Sequence, residues 1–268
     1  MTGAHFRLTR TRNFGKQLPE RAIVMTAPIY AIGDIHGQIE QLERVLALIE
    51  ADGGKDAEIV FLGDYVDRGQ NSKAVVQRLI DGVAEGLRWT PIYGNHDRYL
   101  TRFLDDMRVH DPATRPDLFW FDPKLGGDKT LLSYGVLAEV GMPLEPVLEA
   151  AREAVPQAHR DFLKQRPLMH VTDELVFVHA GLRPGVALND QREDDLIWIR
   201  QGFLDHGGSF GRLVVHGHTA LEHPEHAGNR VNLDGGAGYF RPLHAAVFEG
   251  RDCWLLTDKG RQALQPIS

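Results

Sequence analysis

Five short apolar runs in this chain each stop at a glycine-flanked aspartate, asparagine or histidine. Ile29-Tyr30-Ala31-Ile32 runs into Gly33-Asp34-Ile35-His36-Gly37, and Ile59-Val60-Phe61-Leu62 into Gly63-Asp64-Tyr65-Val66-Asp67-Arg68-Gly69. Pro91-Ile92-Tyr93 leads to Gly94-Asn95-His96-Asp97, Leu175-Val176-Phe177-Val178 to His179-Ala180-Gly181, and Leu213-Val214-Val215 to His216-Gly217-His218. Carboxylate, amide and imidazole donors without thiolate suit Mn, Fe or Zn. No cysteine takes part, which argues against a structural zinc knot. Singly, each stretch also fits a polar turn, and Asp67 with Arg68 fits a local ion pair. Five independent polar turns are not expected to converge on one ligand set, so together they point to a metal site.

Elements with a definite geometry must bring these residues together. A short apolar run closed by glycine reads as a buried strand leaving a sheet. In parallel α/β sheets, sites form beyond the carboxyl ends of the strands. Between the first two runs, Ile39, Leu42, Val45, Leu46 and Ile49 recur at helical spacing, and Gly53-Gly54 ends that helix. Ser72 is the expected N-cap of a second helix with Val75, Val76, Leu79, Ile80 and Val83 inward. This strand–helix alternation predicts a parallel α/β core. Tyr99, Leu100, Phe103, Leu104 and Met107 predict a further amphipathic helix. His110 to Pro146 shows little periodicity, and Ala150 to Arg166 reads as helix. Residues 100–166 are expected to form a helical insertion over the site. After His218 the pattern turns to short strands, at Arg230-Val231-Asn232-Leu233, Leu243 to Val247 and Cys253-Trp254-Leu255, expected to form a second sheet packed on the first.

Length and composition bound the rest. The chain has 268 residues and a net charge of −7. That balance argues against nonspecific binding to nucleic acid or an anionic membrane. Residues 1–27 read as a basic, partly ordered lead-in, with a possible strand at Ala22-Ile23-Val24 and a second candidate translation start at Met25. Residues 28–268 read as one α/β unit. Cys253 is the single cysteine, so no intrachain disulfide can form, and it reads as a buried strand residue. No apolar stretch is long enough to span a membrane and the N-terminus lacks the apolar core of a signal peptide, so a cytoplasmic location is expected.

The five glycine-flanked motifs, in this order, resemble the signature set of the phosphoprotein phosphatase family of calcineurin-like metallophosphoesterases, including bacterial serine/threonine protein phosphatases and diadenosine tetraphosphate hydrolases. The resemblance runs from about residue 29 to residue 220. It implies a two-sheet β-sandwich flanked by helices, with a dinuclear metal centre at the strand ends. Carried over by position, Asp34 and His36 bind the first metal, Asp64 bridges both, and Asn95, His179 and His218 complete the second. Two divalent transition-metal ions are implied, with Mn²⁺ expected and Fe or Zn compatible. Such a pair lowers the pKa of a bound water and holds both nucleophile and phosphate. The resemblance further implies that Arg68 clamps phosphate oxygens, with Asn95 and Arg200 also at the substrate, and that His96 acts as general acid oriented by Asp67. In His216-Gly217-His218 the ligand is His218, while His216 is either a neighbour of the ligands or merely packed.

Departures from the family bear on substrate. Asp97 stands where protein phosphatases usually carry Glu, as in the diadenosine tetraphosphate hydrolases. Tyr93 replaces an arginine that several bacterial phosphatases place before Gly-Asn-His. Asp67, however, is kept where the nucleotide hydrolases often have another residue. Ala220 lies where the wider nuclease and phosphodiesterase branches carry a further histidine. Two enzymatic expectations follow. The first is a phosphomonoesterase of serine/threonine protein phosphatase type, acting on a phosphorylated protein or peptide. The alternative is a dinucleoside polyphosphate hydrolase using the same centre. A non-catalytic binding module fits the intact ligand set least well. The oligomeric state is open.

Overall fold

The computed structural model describes residues 27–267. The strand expected at Ala22-Ile23-Val24 and the candidate start at Met25 lie outside the described residues. Strand β1 (Ile29–Ile32), helix α1 (Ile39–Gly53), β2 (Glu58–Phe61), α2 (Ser72–Ala84) and β3 (Trp89–Pro91) follow the expected alternation. Helix α1 buries Leu42, Val45, Leu46 and Ile49 and stops at Gly54. Helix α2 departs from expectation at both ends. Its N-cap is Asn71 rather than Ser72, because the Ser72 hydroxyl turns inward to the backbone N–H of Asp67 at 3.2 Å. Val83 is exposed, since Gly82 takes the inward position against the Trp89 ring.

Four helices follow: α3 (Asn95–Asp106), α4 (Gly127–Ser133), α5 (Leu144–Ala154) and α6 (Gln157–Lys164). The single helix expected over 150–166 is therefore two. Pro156 forces Val155 into an extended conformation and breaks the run. Helix α4 lies in the stretch without periodicity. The chain continues through β4 (Met169–Val171), β5 (Leu175–Val178), α7 (Glu193–Trp198), β6 (Leu213–His216), β7 (Glu225–His226), β8 (Arg230–Asn232), β9 (Ala245–Glu249), β10 (Asp252–Thr257) and β11 (Gly260–Ala263).

These strands form two mixed sheets, ordered β11-β10-β9-β1-β2-β3 and β4-β5-β6-β8-β7. The late strands do not make a sheet of their own. β9 pairs antiparallel with β1, Ile32 facing Ala245, and brings β10 and β11 with it. β8 instead joins β6 in parallel, Val215 facing Val231. Both docking strands cover what would otherwise be open edges of parallel ladders. Alternation along each strand assigns two faces. In β1 and β2, Ala31 and Val60 point between the sheets, where they meet Phe177, Val215, Val231 and Phe248. Tyr30, Ile32, Ile59 and Phe61 point to the helices. The far face of the second sheet buries Val176, Val178 and Val214 against Leu196, Ile197 and Phe203. Each such aliphatic side chain contributes about 1.5–3 kcal/mol on burial. Cys253 is buried on β10 in the inter-sheet core. The result is a two-sheet sandwich flanked by helices. Among the described residues, no helix is long and apolar enough to cross a membrane.

Candidate metal centre

The turns that leave β1, β2, β3, β5 and β6 meet along one rim. Backbone strain concentrates there. Seven non-glycine residues among those described have positive φ, and five of them are His36, Asp64, Asp67, Arg68 and His218. Left-handed conformations of this kind cost about 1–3 kcal/mol each and persist where the surroundings enforce them. Close approach enforces part of it: a Cβ on Gly217 would overlap Asp34 Oδ1. Asp34 accepts the backbone N–H of His218 at 3.0 and 3.1 Å, joining the first sheet to the second.

Two imidazoles share one orientation. His36 Nδ1 donates to Val66 O at 2.8 Å and His179 Nδ1 to Leu62 O at 2.7 Å. A carbonyl only accepts, so each ring carries a proton on that side and turns Nε2 inward. Metal-ligating histidines are held in this way. His218 Nε2 is buried without a partner. His179 Nε2 lies 2.8 Å from Asn95 Oδ1. His36 Nε2 has drawn the Arg68 guanidinium to 2.6 Å. Asp64 lies between the two halves, with its oxygens 3.6 Å from His36 Nε2 and 3.4 Å from His179 Nε2. The donor atoms of His36, Asp64 and His96 fall within 4.8 Å of one another, as do those of Asp64, His179 and His218, and Asp64 belongs to both groups. Asp34 sits outside these two tight groups.

The electrostatics point the same way. Burial, then the nearby Asp234 and Asp64, push the Asp34 carboxyl well above the usual range. Asp234 is raised by burial as well. Burial pushes His36 and His218 well down, which holds both rings in the neutral form that ligates metal. Crowded carboxylates and an orphaned imidazole nitrogen make a donor set that fits divalent cations.

Asp67 does not pair with Arg68. Its carboxylate takes His96 Nδ1 at 2.7 Å, Trp120 Nε1 at 2.9 Å and Thr130 Oγ1 at 2.6 Å. Burial pushes Asp67 up to about 7 against the Thr130 and Trp120 hydrogen bonds. Burial and then Arg68 push His96 down to about 3. Arg68 Nη2 donates to His96 Nε2 at 3.1 Å, so His96 is neutral here with its proton on Nδ1. Arg68 must leave Nε2 before that atom can carry a proton. Arg200 donates to His218 O at 3.2 Å. Together with Asp64, Asn95, His96, Trp198 and the loop bearing Thr114 and Arg115, both arginines line a cavity of about 290 Å³.

All the residues expected from the sequence, Asp34, His36, Asp64, Asp67, Arg68, Asn95, His96, His179, Arg200 and His218, stand at this rim. His216 does not join them; it is buried with its ring centre 5.0 Å from that of Phe203, edge to face. Several supporting roles escaped sequence reasoning. Asp97 accepts the backbone N–H groups of Gly94, Asp64 and Tyr65 at 2.9–3.0 Å, fixing the Asp64 turn. Trp120 and Thr130 come from a stretch with no periodic signal. Arg98 is buried and pairs with Asp111, Asp194 and Glu193, tying α3 to the loop after it and to α7 just before Arg200. Asp234 had a usable signal: Val231-Asn232-Leu233-Asp234-Gly235 repeats the apolar-run-to-aspartate pattern of the other turns.

A sandwich that collects such donors and arginines at its strand ends defines a metal-dependent phosphoesterase. The model of the calcineurin-like phosphoesterase family matches residues 27–234, and the chain belongs to that family. It is similar to the symmetrical bis(5'-nucleosyl)-tetraphosphatase of Bordetella parapertussis, at 41% identity over 158 residues, 59% of this chain and 45% of that protein. The enzyme of the same name from Methylococcus capsulatus is 33% identical over 157 residues, 58% of this chain and 44% of its own length. The chain thus spans less than half the length of these curated relatives. Among solved structures it resembles the cold-active protein-tyrosine phosphatase of a psychrophilic Shewanella, with a TM-score of 0.60 and 15% identity over 89% of this chain and 80% of that one. At that identity the likeness is one of fold.

Proposed function

We propose that this chain hydrolyses dinucleoside polyphosphates of the diadenosine tetraphosphate type, adding water across a phosphoanhydride to give two nucleoside diphosphates. The observation that carries this is the cavity wall, where Arg68, Arg200 and Arg115 all line one opening. A single phosphate needs one bidentate clamp; a row of phosphates can use several. The names of the curated relatives support the same substrate class. Divalent cations held by Asp34, His36, Asp64, Asn95, His179 and His218 would supply an activated water and neutralise phosphate charge, with Mn²⁺ suited to this nitrogen–oxygen donor set. Arg68 leaves His36 and His96 to take phosphate oxygens, and Arg200 grips the polyphosphate from the segment after α7. A departing nucleoside diphosphate is a stable anion and asks little of a proton donor.

A phosphomonoesterase of protein phosphatase type is the second reading. The Asp67–His96 hydrogen bond at 2.7 Å favours it, because a serine alkoxide leaves only with a proton. Parallel assays of diadenosine tetraphosphate and a phosphoserine peptide with added Mn²⁺ decide between them. The expected result is two equivalents of ADP, with kcat/KM above that for the peptide. Turnover of the peptide alone would overturn the proposal.

A further inference from the structure

Two aromatic rings stand in solvent beside this centre. Tyr239 is 53% exposed and Phe240 74% exposed, on the turn that follows β8. The same turn presses against the centre: a Cβ on Gly238 would fall 2.5 Å from His36 Cδ2 and 2.9 Å from Arg68 Cδ. The Arg68 guanidinium lies 4.7 Å from the centre of the Tyr239 ring. Four hydrogen bonds hold the turn from behind. Asp234 accepts Gly236 N–H at 2.9 Å, Gln38 Nε2 donates to Ala237 O at 3.3 Å, and Gln41 binds Arg241 O at 3.1 Å and Leu243 N–H at 2.6 Å. Phe240 also sits at φ 61°, a strained conformation for a bulky residue. The fixed backbone thus presents the two rings outward. Exposed rings beside a phosphate clamp offer what a nucleotide needs, a flat apolar face next to an anion site. Every base has a π-face, and stacking on aromatic side chains is tolerant of base identity.

We infer that Tyr239 and Phe240 form a stacking platform for the base of a nucleoside polyphosphate whose phosphates lie on Arg68 and Arg200. The inference rests on the proposed function and names the part of the site that separates a nucleotide from a bare polyphosphate. The test uses the full chain with Mn²⁺ and compares wild type, Tyr239→Phe and the double variant Tyr239→Ala/Phe240→Ala. Steady-state kinetics on diadenosine tetraphosphate are paired with calorimetric affinities for ADP and for pyrophosphate. In the double variant, KM for diadenosine tetraphosphate should rise about 10-fold, and ADP affinity relative to pyrophosphate should fall about 10-fold. Tyr239→Phe should keep both values near wild type. An ADP-to-pyrophosphate affinity ratio that stays at the wild-type value in the double variant overturns the platform. So does equal weakening of both ligands, which means the rings act only through Arg68. A wild type that leaves diadenosine tetraphosphate intact fails the functional proposal, and the platform falls with it. A wild type that cleaves it with a KM indifferent to the double variant fails the platform alone.

Discussion

Arg68 carries a fixed charge and rests on two imidazoles, His36 and His96, that both present bare nitrogens to it. It therefore occupies the neighbourhood a cation would take and must exchange partners when phosphate arrives. Replacing Arg68 with alanine removes a donor aimed at the transferring phosphoryl group, a loss worth about 10²–10³ in kcat. Metal content, measured by mass spectrometry, should equal or exceed that of wild type, because a competing cation has gone. Loss of metal would make Arg68 a structural support instead. His96 gives a second test at this scale. As a proton donor it matters for poor leaving groups, by about 10²–10⁴. The His96→Asn variant should lose that much on an alkyl phosphate and clearly less on p-nitrophenyl phosphate or diadenosine tetraphosphate. Equal losses on all three would leave His96 only the task of positioning Arg68.

Helix α6 docks on α2 through a buried histidine rather than through apolar contact alone. His159 sits between Tyr134 Oη at 2.9 Å and Gln77 Oε1 at 2.9 Å. Burial, and then the Lys73 charge, lower its pKa below the ordinary value of 6.5. The folded state thus binds this proton less readily than the unfolded chain. The contribution of His159 is complete above the unfolded value and is lost as the pH falls below it toward the folded one. The His159→Gln variant should accordingly be less stable than wild type at pH 7.5, with the gap narrowing at pH 5. Urea midpoints in the presence of chelator check this, and parallel pH curves for the two proteins would rule it out.

On the scale of the whole molecule, the candidate ligands come from both sheets. Asp34, His36, Asp64 and Asn95 follow strands of the first sheet, and His179 and His218 follow strands of the second. A cation held by residues of both sheets would staple the sandwich, which would link metal binding to folding. One ion at a hundred times its dissociation constant adds about 2.7 kcal/mol, or roughly 5–10 °C in Tm for a protein of this size. Scanning calorimetry with Mn²⁺ and then with EDTA should show at least that drop. Asp64→Asn, which alters the residue common to both donor groups, should show little difference between the two conditions.

Much of this centre was legible in the chain because strand and turn grammar is local. An apolar run, a glycine and a donor within a few residues declare a strand end, and the five declared in this way do meet. The buried faces of α1 and most of α2 were legible for the same reason, since their period is written in adjacent turns. Decisions that depend on distant partners were not. The late strands divide between two sheets because β1 and β6 each had an edge to fill, and the local sequence of β8 or β9 carries no record of that. Ser72, Trp120 and Thr130 converge on Asp67 from segments up to 63 residues away, where no spacing rule reaches. The sequence determined which atoms could bind a cation and at which strand ends they stand. Only the tertiary structure decided which of them face one another, because that depends on how two sheets pack across a seam and not on either strand alone.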